Sequence, residues 1–253
     1  MASSRDSSAA VARLLWDEAG ARRLPRTADL DRALAAISPR ALFRLCEEDP
    51  RGPLYFLPTK EWIRALAATC RGLGPRTLEV ACGDGFVARC LRNVAPDLEI
   101  LATDSGAWED PRARMTAAEA RALGAKQIPG LRLGEGVRRA EAVASVRRFE
   151  PDVTLAVWLP PGPLLARLIR APTRFVLEVG AAGGVTGEGA WGWRFSHELA
   201  LGPLERWARC RLDARPGRGL ATRVTLYHGR RHPEFHEERP SRGDWLFQFK
   251  PVR

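Results

Sequence analysis

Between residues 76 and 180 the chain alternates short apolar runs with amphipathic ones. "RTLEVAC" (76–82), "LEILATD" (98–104), "DVTLAVWLPP" (152–161) and "RFVLEVG" (174–180) read as strands. Between them, "GFVARCLRNV" (85–94), "TAAEARALGA" (116–125) and "GPLLARLIRA" (162–171) carry helical spacing. Strands apolar along their whole length need cover on both faces. Alternation of this kind therefore predicts a parallel sheet between two helical layers. The end of the chain departs from it. "RWARCRLDARPG" and "LATRVTLYHGRR" are strand candidates separated only by Pro216, Gly217, Arg218 and Gly219. That connection is too short for a crossover helix, so the pair should be antiparallel.

The region before the sheet reads differently. Apolar residues recur at helical spacing from Val11 to about Arg23 and again from Thr27 to about Cys46, interrupted at Ser38-Pro39. Residues 1–10 are small and polar and are expected to fray. "EEDPRGP" (47–53) is rich in turn formers and sets the expected boundary between a helical N-terminal extension, 1–50, and a main domain, 51–253. "TKEWIRALAATCRGLG" (59–74) then reads as a helix with Thr59 as cap and Gly72 or Gly74 as stop.

Composition excludes several classes. No apolar run reaches the roughly 18–20 residues of a membrane helix, and the N-terminal segment lacks the apolar stretch of a secretory signal. The five cysteines are scattered without a CxxC pair, which suits a reducing cytoplasm rather than a disulfide framework. The net charge is +10, which points either to an anionic partner or to coding bias. Only three of the 40 basic residues are lysines, which leaves 37 arginines, the skew expected of a GC-rich genome.

Gly83 and Gly85 fall directly after the first strand of the sheet, where open α/β sheets bind ligands. Lacking Cβ, they permit tight turns and close approach by a ligand. The helix that follows offers free N–H groups to a carboxylate or phosphate. A dinucleotide fingerprint needs G-x-G-x-x-G, whereas this turn reads Ala81-x-Gly83-x-x-Phe86. The phosphate loop G-x-x-x-x-G-K-[ST] is absent.

Glu79-Val80-Ala81-Cys82-Gly83-Asp84-Gly85 resembles motif I, (E/D)-x-G-x-G-x-G, of the class I S-adenosylmethionine-dependent methyltransferases. Ala81 stands where that family has its first glycine. Asp104 ends the second strand, nineteen residues after Gly85, where the family places an acid. The resemblance spans roughly residues 55–230. It implies a seven-stranded, mostly parallel sheet closed by a C-terminal antiparallel hairpin, with S-adenosylmethionine as cofactor. It implies that Glu79, Ala81, Gly83, Gly85 and Phe86 surround the methionine part and that Asp104 holds the ribose. The family's third acid, near the adenine, has two candidates here, Glu135 and Glu141. "VWLPPG" (157–162) matches the two prolines of the (N/D/S)-P-P-(Y/F/W) motif of amino-methylating members, but puts Leu159 and Gly162 at its polar and aromatic positions. Trp158 offers an aromatic face to a sulfonium.

Methyl transfer needs a base only if the nucleophile must lose a proton. His197, which follows the glycine-rich stretch 180–193, is the candidate, with Trp158 lining the pocket. His228, His232 and His236 accompany Glu234, Glu237 and Glu238, but Gly229 and Pro233 break any helix there, so a polar segment without metal is expected. Residues 203–253 hold twelve basic residues against six acids, with Trp207, Trp245, Phe247 and Phe249 interleaved, a pattern open to RNA. The first expectation for the acceptor is a small molecule or natural product, because no nucleic-acid module is recognisable. The second is RNA, and the third is a binding or regulatory protein without catalysis. Nothing in the sequence speaks to oligomeric state.

Overall fold

The computed structural model describes residues 4–118, 121, 129–181, 186–187, 194–199, 202–212 and 222–238. Three helices come first: α1 (Ser4–Leu15), α2 (Thr27–Ala36) and α3 (Pro39–Glu47). α1 begins and ends earlier than its apolar spacing predicts. After Leu15 the chain reverses: Asp17 accepts the Ala21 N–H at 2.8 Å, Gly20 takes φ +80°, and Trp16 bridges to Arg22. Ser38 caps α3 by accepting the Ala41 N–H at 3.2 Å. Pro39 opens that helix, where its missing N–H is no loss. Val11, Leu15, Leu30, Leu42 and Cys46 form a small core that also takes in Leu54 and Leu57.

Helix α4 (Lys60–Leu73) joins this part to the sheet. Thr59 caps it, accepting the Trp62 N–H at 3.2 Å, and Glu61 in its first turn accepts the Thr27 N–H at 2.8 Å. Its inner face, Trp62, Ile63 and Leu66, is fully buried.

The sheet is built from β1 (Arg76–Val80), β2 (Glu99–Asp104), β3 (Arg138–Arg139), β4 (Val153–Val157), β5 (Phe175–Ala181), β6 (His197–Leu199) and β7 (Thr222–His228). Between these strands lie α5 (Phe86–Val94), α6 (Ala142–Phe149), α7 (Leu164–Ile169) and α8 (Pro203–Trp207). The strand order is β3-β2-β1-β4-β5-β7-β6. β1 to β5 pair in parallel, and β7 is antiparallel to both β5 and β6. Successive side chains of a strand point to opposite faces. Leu155 and Leu177 thus meet α4 and α5 in one cluster, while Ala156 and Val176 meet α6 and α7 in another.

Two sequence expectations change here. β7 is the second strand of the closing antiparallel pair, but its partner is β6 rather than a strand from Arg206 onward. Residues 203–207 form α8, Cys210 makes only an isolated bridge to Phe56, and residues 213–221 lie outside the described residues. Pro203 at the start of α8 fits a first helical turn. Most of the alanine-rich segment 116–125 also lies outside the described residues. Among the described residues no helix is long and apolar enough to cross a membrane.

Candidate functional site

The strand order reverses between β1 and β4, and an open α/β sheet holds its crevice at that point. A cavity of about 570 Å³ lies there, within the usual range for small-ligand sites. Glu79, Ala81, Gly83, Phe86, Asp104 and Trp158 all line it. Gly85 sits just behind, at the N-terminus of α5 with φ +64°.

The turn after β1 holds three left-handed positions at alternate residues. Ala81 has φ +48°, Gly83 φ +56° and Gly85 φ +64°. A Cβ in the left-handed region costs about 1 kcal/mol relative to glycine, so Ala81 holds this conformation at some strain. The close approach at Gly83 and Gly85 is to protein. A Cβ on Gly83 would stand 2.5 Å from Leu131 Cδ2, and one on Gly85 would stand 2.4 Å from Val137 Cγ2. The segment 129–137 therefore packs directly on the turn, and Leu131 forms part of the cavity wall.

Carboxylates organise the turn. Asp104 Oδ2 accepts the Gly83 N–H at 2.9 Å and Oδ1 accepts the Gly106 N–H at 2.7 Å. Asp84 Oδ1 accepts the Phe86 N–H at 3.1 Å, and Glu79 Oε2 accepts the Ala88 N–H at 2.8 Å. The N-terminus of α5 is thus capped by the chain's own acids, which corrects the expectation that it offers these N–H groups to an anion. The helix dipole favours carboxylates there. The result is a crevice floor lined by Glu79, Asp84 and Asp104 beside an aromatic wall. Burial, reinforced by Asp84, pushes the Glu79 carboxyl up to about 8. The Cys82 thiol is driven far above its ordinary range by burial and then by Glu79 and Asp104, so it is no nucleophile.

The Glu79 shift has a testable sign. A carboxyl whose folded pKa lies near 8, above its ordinary value of 4.5, adds stability that is complete below the lower value. That stability is lost as pH rises through the higher one. In unfolding titrations without ligand, the wild type is expected to lose on the order of 3 kcal/mol relative to Glu79→Gln between pH 5.5 and 8.5. Parallel pH profiles of the two proteins would remove the shift.

Trp158 also takes φ +60°, and its N–H donates to Val179 O at 2.7 Å. Its ring lies nearly parallel to Tyr55, with centroids 6.5 Å apart. Pro160, Pro161 and the buried Leu159 complete this wall. Sequence reasoning missed the residues that come from before the sheet. Arg22 pairs with Asp84 at 3.0 Å and lies over the Phe86 ring at 4.1 Å. Glu47 pairs with Arg211, whose guanidinium lies 4.7 Å from the Tyr55 ring. No spacing rule connects residues 22 and 84, so only the folded chain reveals these pairs.

Other candidates lie elsewhere. His197 is on β6, with Nδ1 2.6 Å from Phe195 O and its ring against Tyr227. It faces a separate shallow pocket with His228, Glu234 and His236, because β6 is the far edge of the sheet. This overturns the expectation that His197 reaches the reacting groups. Neither Glu135 nor Glu141 lines the cavity. Glu141 caps α6, accepting the Ala144 N–H at 2.8 Å, and pairs with Arg167. Most of the glycine-rich stretch 180–193 lies outside the described residues.

No protein-family model matches the chain, and no curated protein matches it in sequence. Solved structures resemble it in fold. A human methyltransferase 10 domain containing protein is 10% identical, with 90% of this chain and 98% of that chain covered and a TM-score of 0.41. A sugar N-methyltransferase from Streptoalloteichus is 23% identical over 56% of this chain and 54% of that one, with a TM-score of 0.29. A precorrin-6y C5,15-methyltransferase from Geobacter metallireducens is 12% identical over 68% and 89%, with a TM-score of 0.35. Likeness at this level argues no substrate. By its strand order, with β7 antiparallel inside an otherwise parallel sheet, the chain has the fold of the class I S-adenosylmethionine-dependent methyltransferases.

Proposed function

We propose that the crevice binds S-adenosylmethionine and that the chain transfers its methyl group to a small-molecule acceptor. The observation that carries this reading is the group of acids at the turn. Asp104 and the Arg22-paired Asp84 stand beside the glycines with Glu79, whose buried carboxyl ionises when a cation binds against it, and the N-terminus of α5 is already capped. Such a site disfavours a pyrophosphate and favours a ligand with cationic groups. S-Adenosylmethionine carries an ammonium and a sulfonium, and when bound it supplies a methyl group already activated for displacement.

The chain's own residues would position and desolvate. Glu79 and the Ala81–Gly85 turn hold the amino-acid end. Asp104 keeps a second lone pair on each oxygen for ribose hydroxyls after satisfying two backbone N–H groups. The face of Trp158 stabilises the sulfonium. Tyr55 and the Arg22–Asp84 and Glu47–Arg211 pairs wall the mouth, excluding water and aligning the acceptor.

A small acceptor is favoured over RNA by what the basic C-terminal region does. Arg209 pairs with Asp31, Arg211 with Glu47 and Arg223 with Glu178. Trp207 packs against the core rather than presenting a stacking face. Trp245, Phe247 and Phe249 lie outside the described residues.

Calorimetry with S-adenosylhomocysteine is expected to show one site per chain. No heat of binding at about 1 mM ligand, the weak end of specific binding, would end this reading. No gel retardation of tRNA at low salt is expected, and a salt-sensitive shift would move the acceptor to RNA. Binding without turnover on any extracted acceptor would make the chain a non-catalytic binding protein.

A further inference from the structure

β7 ends at His228, and the chain reverses there in a tightly pinned turn. The Gly229 N–H donates to Arg174 O at 2.8 Å, Arg230 N–H to Ile169 O at 3.0 Å and Arg231 N–H to Thr173 O at 3.0 Å. Beyond Pro233 the chain runs back beside residues 194–196, with Ser196 N–H to His236 O at 3.2 Å and Glu238 N–H to Arg194 O at 2.8 Å. Gly229 and Pro233 do break a helix, as the sequence predicts. The turn they make nonetheless gathers side chains. The rings of His228 and His232 stack with centroids 4.0 Å apart. One nitrogen from each and a Glu234 carboxylate oxygen all lie within 4.8 Å of one another.

His228 supplies the second observation. It is 8% exposed, and its Nδ1 is buried with no hydrogen-bond partner. Glu234 Oε2 stands 3.8 Å from that nitrogen, beyond hydrogen-bond reach. A buried, unpaired ring nitrogen costs desolvation energy that a native fold usually recovers with a partner.

We propose that His228, His232 and Glu234 bind a divalent transition-metal ion, zinc by the chemistry of the donors. Two imidazoles and one carboxylate are a zinc donor set with a fourth position left open for water, whereas magnesium and calcium take oxygen ligands. Donors at about 2.0–2.2 Å on a tetrahedral zinc ion stand roughly 3.5 Å apart. The Glu234 oxygen, on a side chain 76% exposed, is already near that distance from His228 Nδ1, at 3.8 Å. An imidazole lone pair lies in the ring plane, so the two stacked rings must turn out of their 20° alignment to face one ion, and the half-buried His232 can make that rotation. His232 Nδ1 now accepts the Glu234 N–H at 3.1 Å. Ligation through either ring nitrogen gives up that contact, and the N–H is exposed, so water takes it.

The place in the fold assigns a role. His228 pairs in register with Phe175, the first residue of β5. The cluster thus lies at the end of the sheet opposite the crevice. An ion there clips the 229–234 turn onto β7 without entering the chemistry, and it binds whether or not the crevice holds a cofactor.

The test uses full-length protein stripped with EDTA and titrated with zinc chloride, read by calorimetry and thermal unfolding. One ion per chain is expected, with Tm raised by about 5 °C at a free zinc concentration roughly a hundred times Kd. Glu234→Gln and His232→Asn, both at the surface of the turn, should each weaken binding at least tenfold while the metal-free Tm stays near wild type. Absence of binding in the wild type overturns the proposal, as does unchanged affinity in the double variant. The cobalt-substituted protein gives a third readout. A visible spectrum free of thiolate charge transfer supports these ligands. A thiolate band would put the ion on one of the five free cysteines and overturn the site.

Discussion

Asp104→Ala is expected to weaken S-adenosylhomocysteine binding at least a hundredfold, about 2.7 kcal/mol, and to lower stability at the same time. The two effects have one origin. Asp104 is buried at the end of β2, and its two oxygens accept the N–H groups of Gly83 and Gly106. Hydrogen bonds to an ionised acceptor are the stronger kind, and removing the acceptor leaves both donors without it. The loss should be on the order of 3 kcal/mol, a fall in Tm of roughly 6–12 °C for a chain of this size. The turn after β1 then loses its tie to β2, and the crevice loses its floor. Asp104→Asn separates the two roles. Its single carbonyl oxygen can keep one of the two backbone bonds, so part of the stability should return while affinity stays low. A lower Tm with unchanged affinity in Asp104→Ala would leave this residue as a structural tie and remove it from the binding site.

Gly83→Val is the second large effect. At φ +56° any side chain is strained, and a β-branched one most of all. The new Cβ would stand 2.5 Å from Leu131 Cδ2, so either the turn or the wall formed by segment 129–137 must move. Both border the cavity. Affinity for S-adenosylhomocysteine should fall at least a hundredfold, and stability should fall by about 2–3 kcal/mol. Gly83→Ala, with the same strain but one small methyl, should lie between. Wild-type affinity in Gly83→Val, measured by calorimetry on folded protein, would show that the turn does not shape the site.

Much of the sheet was legible because its signals are local. The runs 76–82, 98–104, 152–161 and 174–180 are apolar through their length, and each became a strand within a residue or a few of its expected bounds. Thr59 was readable as a helix start because a cap is a short-range hydrogen bond, whereas Ser38 was read only as an interruption and proves to cap α3. The closing pair was only half legible. β7 carries a clear β pattern, but β6 is three residues long and follows a glycine-rich stretch with no strand signal. The segment at 206–217 has enough apolar residues to imitate a strand, yet its first two residues close the helix that Pro203 opens, Cys210 makes an isolated bridge to Phe56, and 213–217 lie outside the described residues.

The candidate site divides along the same line. Gly83 and Gly85 could be named from their place after a strand, and the resemblance to motif I added Glu79, Ala81, Phe86 and Asp104; a strand, a tight turn and a helix place such residues near each other in space. What they face could not. Leu131 and Val137 fill the space beside the glycines, and Arg22, Glu47 and Tyr55 close the mouth from a part of the chain that carries no motif. His197 illustrates the converse error. It follows β5 in sequence, where a substrate loop is common, but antiparallel pairing with β7 carries it to the far edge of the sheet.

The sequence by itself determined the alternation of strands and helices, the glycine turn and the acid that follows on β2. The first two rest on local periodicity and backbone preference, and the acid rests on its place at the end of the next strand. The tertiary structure alone decided which groups face the crevice and what walls it. Asp104 became a tie for the turn, α5 was capped from within, and an N-terminal arginine was laid over Phe86. It also drew two histidines and a glutamate together across a turn that local rules read only as a helix break. Contacts between groups distant in sequence depend on loop closure and packing, and no local pattern in the chain records them.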